Sequence, residues 1–143
     1  DLSHDPKYIP SFIKKARESF DVVIGSRRMP GGGIVGWSWQ RKLISFGGNF
    51  VGRKIAGVNI SDLTSGYRLY KRKVLEGIRL DEIKSTGYSF QLEILARSIK
   101  RGFKVEAVPI VFRDRLQGRS KLSKRQWLGF FVAALKIRFG RLD

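Results

Sequence analysis

Cysteine is absent from the 143 residues, which excludes disulfides and any thiolate-held metal. Histidine and methionine occur once each, as His4 and Met29. A lone histidine is seldom a base or a ligand, so His4 is assigned no chemistry. Acids are scarce, 12 against 29 lysines and arginines, which leaves a net charge of +17. No apolar run reaches the ~20 residues needed to cross a bilayer. The longest, from Trp127 to Leu135, is broken by Gly129. Internal repeats and low-complexity stretches are also missing. A chain of this length supports one domain with a modest core.

The positive charge is present in blocks. Residues 25–73 carry ten bases and a single acid, Asp62, and residues 113–143 carry nine bases and two acids. The segments 1–24 and 74–112 are near balance. Such a field attracts polyanions: nucleic acid, nucleotide phosphates or an anionic membrane face. The plainer explanation is a solvated surface that keeps the protein soluble.

Apolar spacing predicts the elements. Asp5 and Pro6 open a helix that carries Tyr8, Ile9, Phe12, Ile13 and Ala16, with Pro10 in its first turn. Phe20–Ile24 reads as a buried strand ended by Gly25-Ser26-Arg27. Residues 28–36, with Pro30 and four glycines, read as a flexible loop. Helical spacing returns from Trp37 to about Ala56. A short strand is expected over Thr64–Tyr70, a short helix over Lys73–Ile78, an amphipathic helix over Tyr88–Arg101, and one strand over Lys104–Phe112. A basic loop, 113–123, leads to a last helix from Lys124 to Arg141. Its apolar centre, basic ends and Trp127 suit either a membrane interface or an ordinary core. Alternating strands and helices give an α/β class. Asp1–Pro6 reads as the exit from a strand into a helix, so part of the sheet is expected upstream of Asp1.

Several residue types could hold phosphate. Arg27 follows a strand and two small residues, and a guanidinium can grip phosphate oxygens in a bidentate way. Arg28 is expected to be exposed. On the helix from Trp37, Leu43, Phe46, Phe50 and Ile55 point one way, and Arg41, Ser45, Gly48 or Asn49, and Gly52 another. Asp62, alone among cations, is either a structural counter-ion or a functional acid. Gln91 and Glu93 flank Leu92 and do not share a helix face, so only one is expected at the site. Arg115 and Lys121 lie in a loop with Gly118 and Ser120 that could close over a pyrophosphate.

Three blocks carry a resemblance: Ile24-Gly25-Ser26-Arg27; Asp62-Leu63-Thr64-Ser65-Gly66-Tyr67-Arg68-Leu69-Tyr70; and Phe112-Arg113-Asp114-Arg115 with Gly118, Ser120, Lys121 and Leu122. In order and wording they resemble the dolichyl-phosphate (polyprenyl-phosphate) mannosyltransferases, inverting glycosyltransferases of the GT-A type. The likeness runs from Asp1 to about Lys124. It implies a Rossmann-like GT-A fold, here its acceptor-side half over 1–112, with the basic loop and a membrane-interface helix over 113–143. It implies that Asp1 helps hold Mg²⁺ or Mn²⁺, and that Arg27, Arg41, Ser45, Arg115 and Lys121 hold donor and acceptor phosphates. A lipid phosphate is already an anion and needs no base, so Asp62 is expected to orient Arg68 or the acceptor rather than take a proton.

The function implied is transfer of mannose from GDP-mannose to dolichyl or polyprenyl phosphate at a membrane surface. The cytoplasmic face is implied, of the endoplasmic reticulum in a eukaryote or of the plasma membrane in a prokaryote. The base-reading half would precede Asp1, or an accessory membrane subunit would complete the enzyme, so the isolated chain is expected to be poorly active. Two alternatives remain: a relative that uses a UDP-sugar, and a non-catalytic basic module for nucleic acid or anionic membrane. Nucleic acid is not expected, because the aromatic residues fall at core positions rather than along one basic face.

Overall fold

A computed structural model describes residues 3–114 and 124–140, without the side chains of Lys124 and Arg125. The central strand is β1 (Val22–Ser26), buried along its whole length. Successive side chains alternate across a strand, so Val22 and Ile24 serve one face and Val23 the other. β3 (Arg68–Tyr70) pairs antiparallel with β1 on one edge, and β4 (Val105–Pro109) pairs parallel on the other. On the Val23 face lies α1 (Ile9–Arg17), pinned by Phe12 against Val108 and Ile110. Its predicted apolar stripe is only partly used, since Ile9 and Ile13 stay exposed. The Val22/Ile24 face carries the larger core, built with Val74 of α3 (Arg72–Gly77), Leu92 and Leu95 of α4 (Gly87–Lys100), and Phe130 and Ala134 of α5 (Lys124–Arg138).

Three expectations need correction. Residues 28–36 are not all loop: β2 (Gly33–Val35) forms a second ladder, parallel to β5 (Val111–Arg113). The single strand expected over 104–112 is two, because the partner changes at Ile110. Ile110 donates its N–H to Ser26 and accepts from Gly33, one hydrogen bond into each ladder. The segments 22–35 and 105–113 thus run side by side, and residues 27–32 are squeezed out between two ladders. Gly32 makes that excursion possible, since a Cβ there would lie 2.6 Å from the Ser26 carbonyl oxygen. The strand expected over Thr64–Tyr70 shrinks to β3, because the residues before it form a turn around Asp62.

The long helix α2 (Trp39–Ala56) starts where the Ser38 hydroxyl accepts from the Arg41 N–H and ends at Gly57, in the left-handed conformation with φ of 69°. Gly48 and Gly52 face α5, where they receive the rings of Trp127 and Phe130. The two helices therefore run parallel with little space between them. Trp127 is half-buried, packed against Gly48 and stacked on Phe131. Among the described residues, no helix is long and apolar enough to cross a membrane.

A Cβ on Gly52 would sit 2.5 Å from the Phe130 ring, which is fully buried and cannot yield cheaply. We expect Gly52→Ala to lower stability by ~1–3 kcal/mol through overpacking. That exceeds the ~1 kcal/mol that alanine gains over glycine inside a helix. A lower urea midpoint at unchanged slope would show this, and a raised midpoint would refute the close packing.

Candidate functional site

The excursion between the ladders turns two consecutive arginines to different environments. Arg27, at the end of β1, points inward and is only 8% exposed. Its Nε donates to Asp62 Oδ2 at 2.7 Å and its Nη2 to Oδ1 at 2.9 Å, a two-point ion pair. The Arg27 backbone N–H also reaches Oδ2, and Nη2 reaches the Thr64 hydroxyl at 2.9 Å. Asp62 has no exposure to solvent and accepts further bonds from the N–H groups of Thr64 and Ser65, which fold residues 62–65 into a tight turn. The rings of Trp37 and Phe112 lie 5.8 and 5.6 Å from the guanidinium.

Burial alone would raise the Asp62 pKa, but the Arg27 guanidinium, with a smaller contribution from Arg28, holds it at about 2. Arg27 moves the opposite way: burial would lower it and Asp62 raises it. Both groups are ionised at neutral pH. A carboxylate this acidic is a poor proton acceptor, and its two-point bonding fixes the Arg27 guanidinium in place. The expected partners of Asp62 were Arg68 or an acceptor; among the described contacts it orients Arg27. Arg68 instead donates to the carbonyls of Leu63, Ser65 and Gln91, which tie the turn to α4.

Arg28 is not exposed as expected. It is half-buried over α2, its N–H held by the Ser26 hydroxyl, its Nη2 bonded to both the Ser45 hydroxyl and the Ser45 carbonyl. The Phe46 ring lies 4.6 Å from its guanidinium. One turn before Ser45, Arg41 pairs with Asp114 at 2.8 Å and stacks 3.9 Å from the Trp37 ring. Asn49 is buried and uses both ends of its amide. It donates to the Ser61 carbonyl at 2.8 Å and accepts from the Leu63 N–H at 2.9 Å, which clamps α2 to the Asp62 turn.

The structure therefore brings Arg27, Arg41, Ser45 and Asp62 into one region, with Arg68 and Gln91 beside it; the Gln91 amide lies 3.9 Å from the Cβ position at Gly66. Glu93 is turned away, bonded to Ser85 and Arg97. Asp1, Arg115 and Lys121 lie outside the described residues. Arg28, Trp37, Asn49 and Asp114 are the residues sequence reasoning passed over as site members. For Asn49 and Asp114 a signal existed: one shares the small-residue face of α2, the other stands beside Arg113 and Arg115 in the third resemblance block. Among the described residues no three imidazole or carboxylate groups converge to hold a metal, and Asp62 and Asp114 already face arginines.

Removing one partner of a buried ion pair strands the other charge, so Asp62→Asn is expected to cost ~3–5 kcal/mol. Losing Arg27 as well should recover part of that cost in Arg27→Met/Asp62→Asn, and urea denaturation of the single and double variants measures it. The pH dependence has a definite sign. Because the folded pKa lies below the ordinary 3.8, the contribution is full above that value and is lost as pH falls through about 2. It amounts to about 2 kcal/mol, read as the fall in unfolding free energy between about pH 5 and pH 2. A flat profile in the wild type would show that Asp62 is not held ionised by Arg27.

The sequence profile of glycosyl transferase family 2 matches residues 1–79. The chain is 42% identical over 146 residues to the polyprenol monophosphomannose synthase of Mycolicibacterium smegmatis, a similarity covering all of this chain and 54% of that protein. It is 43% identical over 123 residues to the undecaprenyl-phosphate mannosyltransferase of Micrococcus luteus, covering 86% of this chain and 50% of that protein. The chain thus spans about half the length of either relative. The profile takes in β1, β2, α2, β3, the Asp62 turn and the Arg27 ion pair, more than half of the chain, and on that basis the chain belongs to glycosyl transferase family 2.

Proposed function

We propose that the protein containing this chain transfers mannose from GDP-mannose to a polyprenyl phosphate at a membrane surface, with inversion at the sugar carbon. Both relatives carry mannose and a polyprenyl or polyprenol group in their names. The structural observation that carries the reading is the division of α2. Arg41 and Ser45 lie on its inner side, while Trp39, Leu43, Phe46 and Phe50 form an outward apolar row at helical spacing; Trp39 is 70% exposed and Leu43 64%. On the neighbouring α5, Leu128, Val132 and Leu135 repeat the pattern, and Phe139 just past its end is exposed as well. Two parallel helices with outward apolar rows, in a chain of net charge +17, suit the interface of an anionic membrane. A lipid phosphate would then arrive beside the arginines while its hydrocarbon stays with the apolar row.

In that reaction a phosphate oxygen attacks the mannosyl carbon as the bond to the GDP phosphate breaks, and the GDP leaves with the electron pair. The attacking oxygen is already anionic, which agrees with an Asp62 unable to take a proton near neutrality. The pair of Asp62 and Arg27 holds the end of β1 rigid, and Arg41, backed by Asp114, supplies positive charge near the phosphates. A divalent cation such as Mg²⁺ or Mn²⁺ would neutralise the departing diphosphate. The described residues supply no ligand set for it, and Asp1 lies outside them. The roles of Arg27, Arg41 and Asp62 do not depend on that cation.

The test uses the full-length protein, labelled GDP-mannose, and vesicles containing undecaprenyl phosphate. Label should enter the organic phase as a mannosyl lipid with GDP-mannose and not with UDP-sugars; transfer only from a UDP-sugar would overturn the donor assignment. In the same vesicles Leu43→Asp/Phe50→Asp should reduce co-flotation and transfer together, while leaving the thermal midpoint close to wild type. Unchanged flotation would remove α2 from the membrane contact.

A further inference from the structure

We propose that the shared C-terminal end of α2 and α5 binds the phosphate headgroup of an anionic bilayer lipid, held by Arg53, Lys54 and Arg138. This rests on the membrane-surface reading above, and the site is separate from the arginines at the end of β1. It lies ~12 Å further along the α2 axis than Ser45. There the surface is concave. A cleft of about 350 Å³ is lined by Phe50, Arg53, Lys54, Gly57, Val58 and Asn59. α5 brings a third cation to its Gly57 wall. A Cβ on that glycine would lie 3.0 Å from Arg138 Nη1, so the bare backbone admits the guanidinium. Phe50 is 60% exposed and forms the apolar wall, with the Lys54 Nζ 5.8 Å from its ring. Arg53 Nη2 donates to the Asn59 side-chain oxygen at 2.8 Å, a neutral acceptor that leaves the positive charge in place.

Among the described residues, none of the three cations takes part in an ion pair. α2 and α5 contain no acid, and neither do residues 57–61. Cations near the end of a helix also complement its carbonyl groups, so capping is the competing explanation. The occupant follows from charge and shape together. Trp39, Leu43, Phe46 and Phe50 recur along α2 at spacings of three and four, and Lys54 stands next in that series. On α5, Leu128, Val132 and Leu135 are followed by Lys136 and Arg138. Each apolar row thus ends in cations. Hydrocarbon along a row with phosphate at its end is the plan of an anionic phospholipid, and long basic side chains reach from apolar surface to headgroup level. A nucleic acid is best met by cations interleaved with aromatic residues, whereas no cation interrupts the α2 row before Lys54.

The experiment uses the full-length protein as wild type and as Arg53→Gln/Lys54→Gln/Arg138→Gln. The control of equal charge is Lys14→Gln/Lys15→Gln/Arg17→Gln on α1, across the sheet. The probes are phosphatidylcholine vesicles, the same vesicles with phosphatidylglycerol, soluble glycerol phosphate, and a short DNA duplex. The readouts are binding or co-flotation, the thermal midpoint, and mannosyl transfer in neutral detergent micelles. Wild type should bind the phosphatidylglycerol vesicles more tightly than the neutral ones. A basic residue beside an anionic leaflet is worth roughly fivefold in affinity, so the pocket variant should bind them roughly tenfold or more weakly. Its midpoint and its transfer in micelles should stay close to wild type, and the α1 control should lose far less. Arg53→Lys/Arg138→Lys should keep most of the affinity, because it keeps the charge.

A lower midpoint with unchanged affinity for phosphatidylglycerol vesicles would make the three residues helix caps and overturn the proposal. An equal loss in the α1 control would overturn it in favour of net charge. Pocket-dependent binding of DNA but not of vesicles, or equal pocket-dependent binding of soluble glycerol phosphate, would assign the cleft to another anion and overturn the lipid. A matching fall of transfer in micelles would move the residues into the transfer site and overturn their separateness. Should the triple variant not fold, Lys54→Gln decides: roughly fivefold weaker binding at an unchanged midpoint sustains the site, and no loss overturns it. Wild type that floats with neither vesicle would overturn the membrane reading and this site together. Flotation lost in Leu43→Asp/Phe50→Asp but kept in the pocket variant would overturn this site alone. Pocket-dependent flotation without mannosyl transfer would sustain the site and overturn the mannosyl reading.

Discussion

The contact between Arg27 and Asp62 sets the local order around it. Two opposite charges are carried into a region with almost no water, where either would be intolerable alone. Each is stabilised only because the other is bonded at two points and because Thr64, Ser65 and the Arg27 N–H complete the acceptor positions of the carboxylate. The consequence is geometric. The end of β1 and the turn over 62–65 become one rigid unit, and the excursion over 27–32 must leave from a fixed point. Arg28, the next residue, is delivered to α2 by that constraint rather than by any attraction of its own to the core.

Asn49 extends the same unit. Its amide reaches across to the backbone on either side of Asp62, so α2 is registered against the ion pair through hydrogen bonds rather than bulk packing. Gly48 and Gly52 then let α5 approach until Phe130 is sealed in the core. A larger residue on either face would separate α2 from the turn or from α5. With the inner side of α2 filled by small and polar residues, its apolar side chains are left facing outward. α5 has the opposite composition inside, large and aromatic, and shows a similar row outside. Each helix thus keeps an exposed apolar row, and on α2 that row lies across the helix from Arg41 and Ser45.

Much of this was legible in the sequence. The helices were, because apolar residues recur at three and four positions, and helix ends moved by no more than a few residues. β1 was, because a short apolar run flanked by small residues has few other uses. The blocks holding Arg27, Asp62 and Asp114 come together in the fold, and belonging to glycosyl transferase family 2 agrees with the likeness those blocks carry. The break at Ile110 was not legible. Nothing local ends a strand there; the chain stays extended and only its partner changes.

What the sequence by itself determined is what depends on neighbours along the chain: the absence of thiol chemistry, the uneven charge, the helical faces and the phosphate-seeking residue types. What only the tertiary structure decided is which cation meets which anion. Arg27 and Asp62 are 35 residues apart, and Arg41 and Asp114 are 73 apart. An arginine reads the same in a sequence whether it is neutralised, exposed or buried without a partner. Those three states differ in free energy because of burial and distance, and both are set only when β1, α2 and the Asp62 turn have come together.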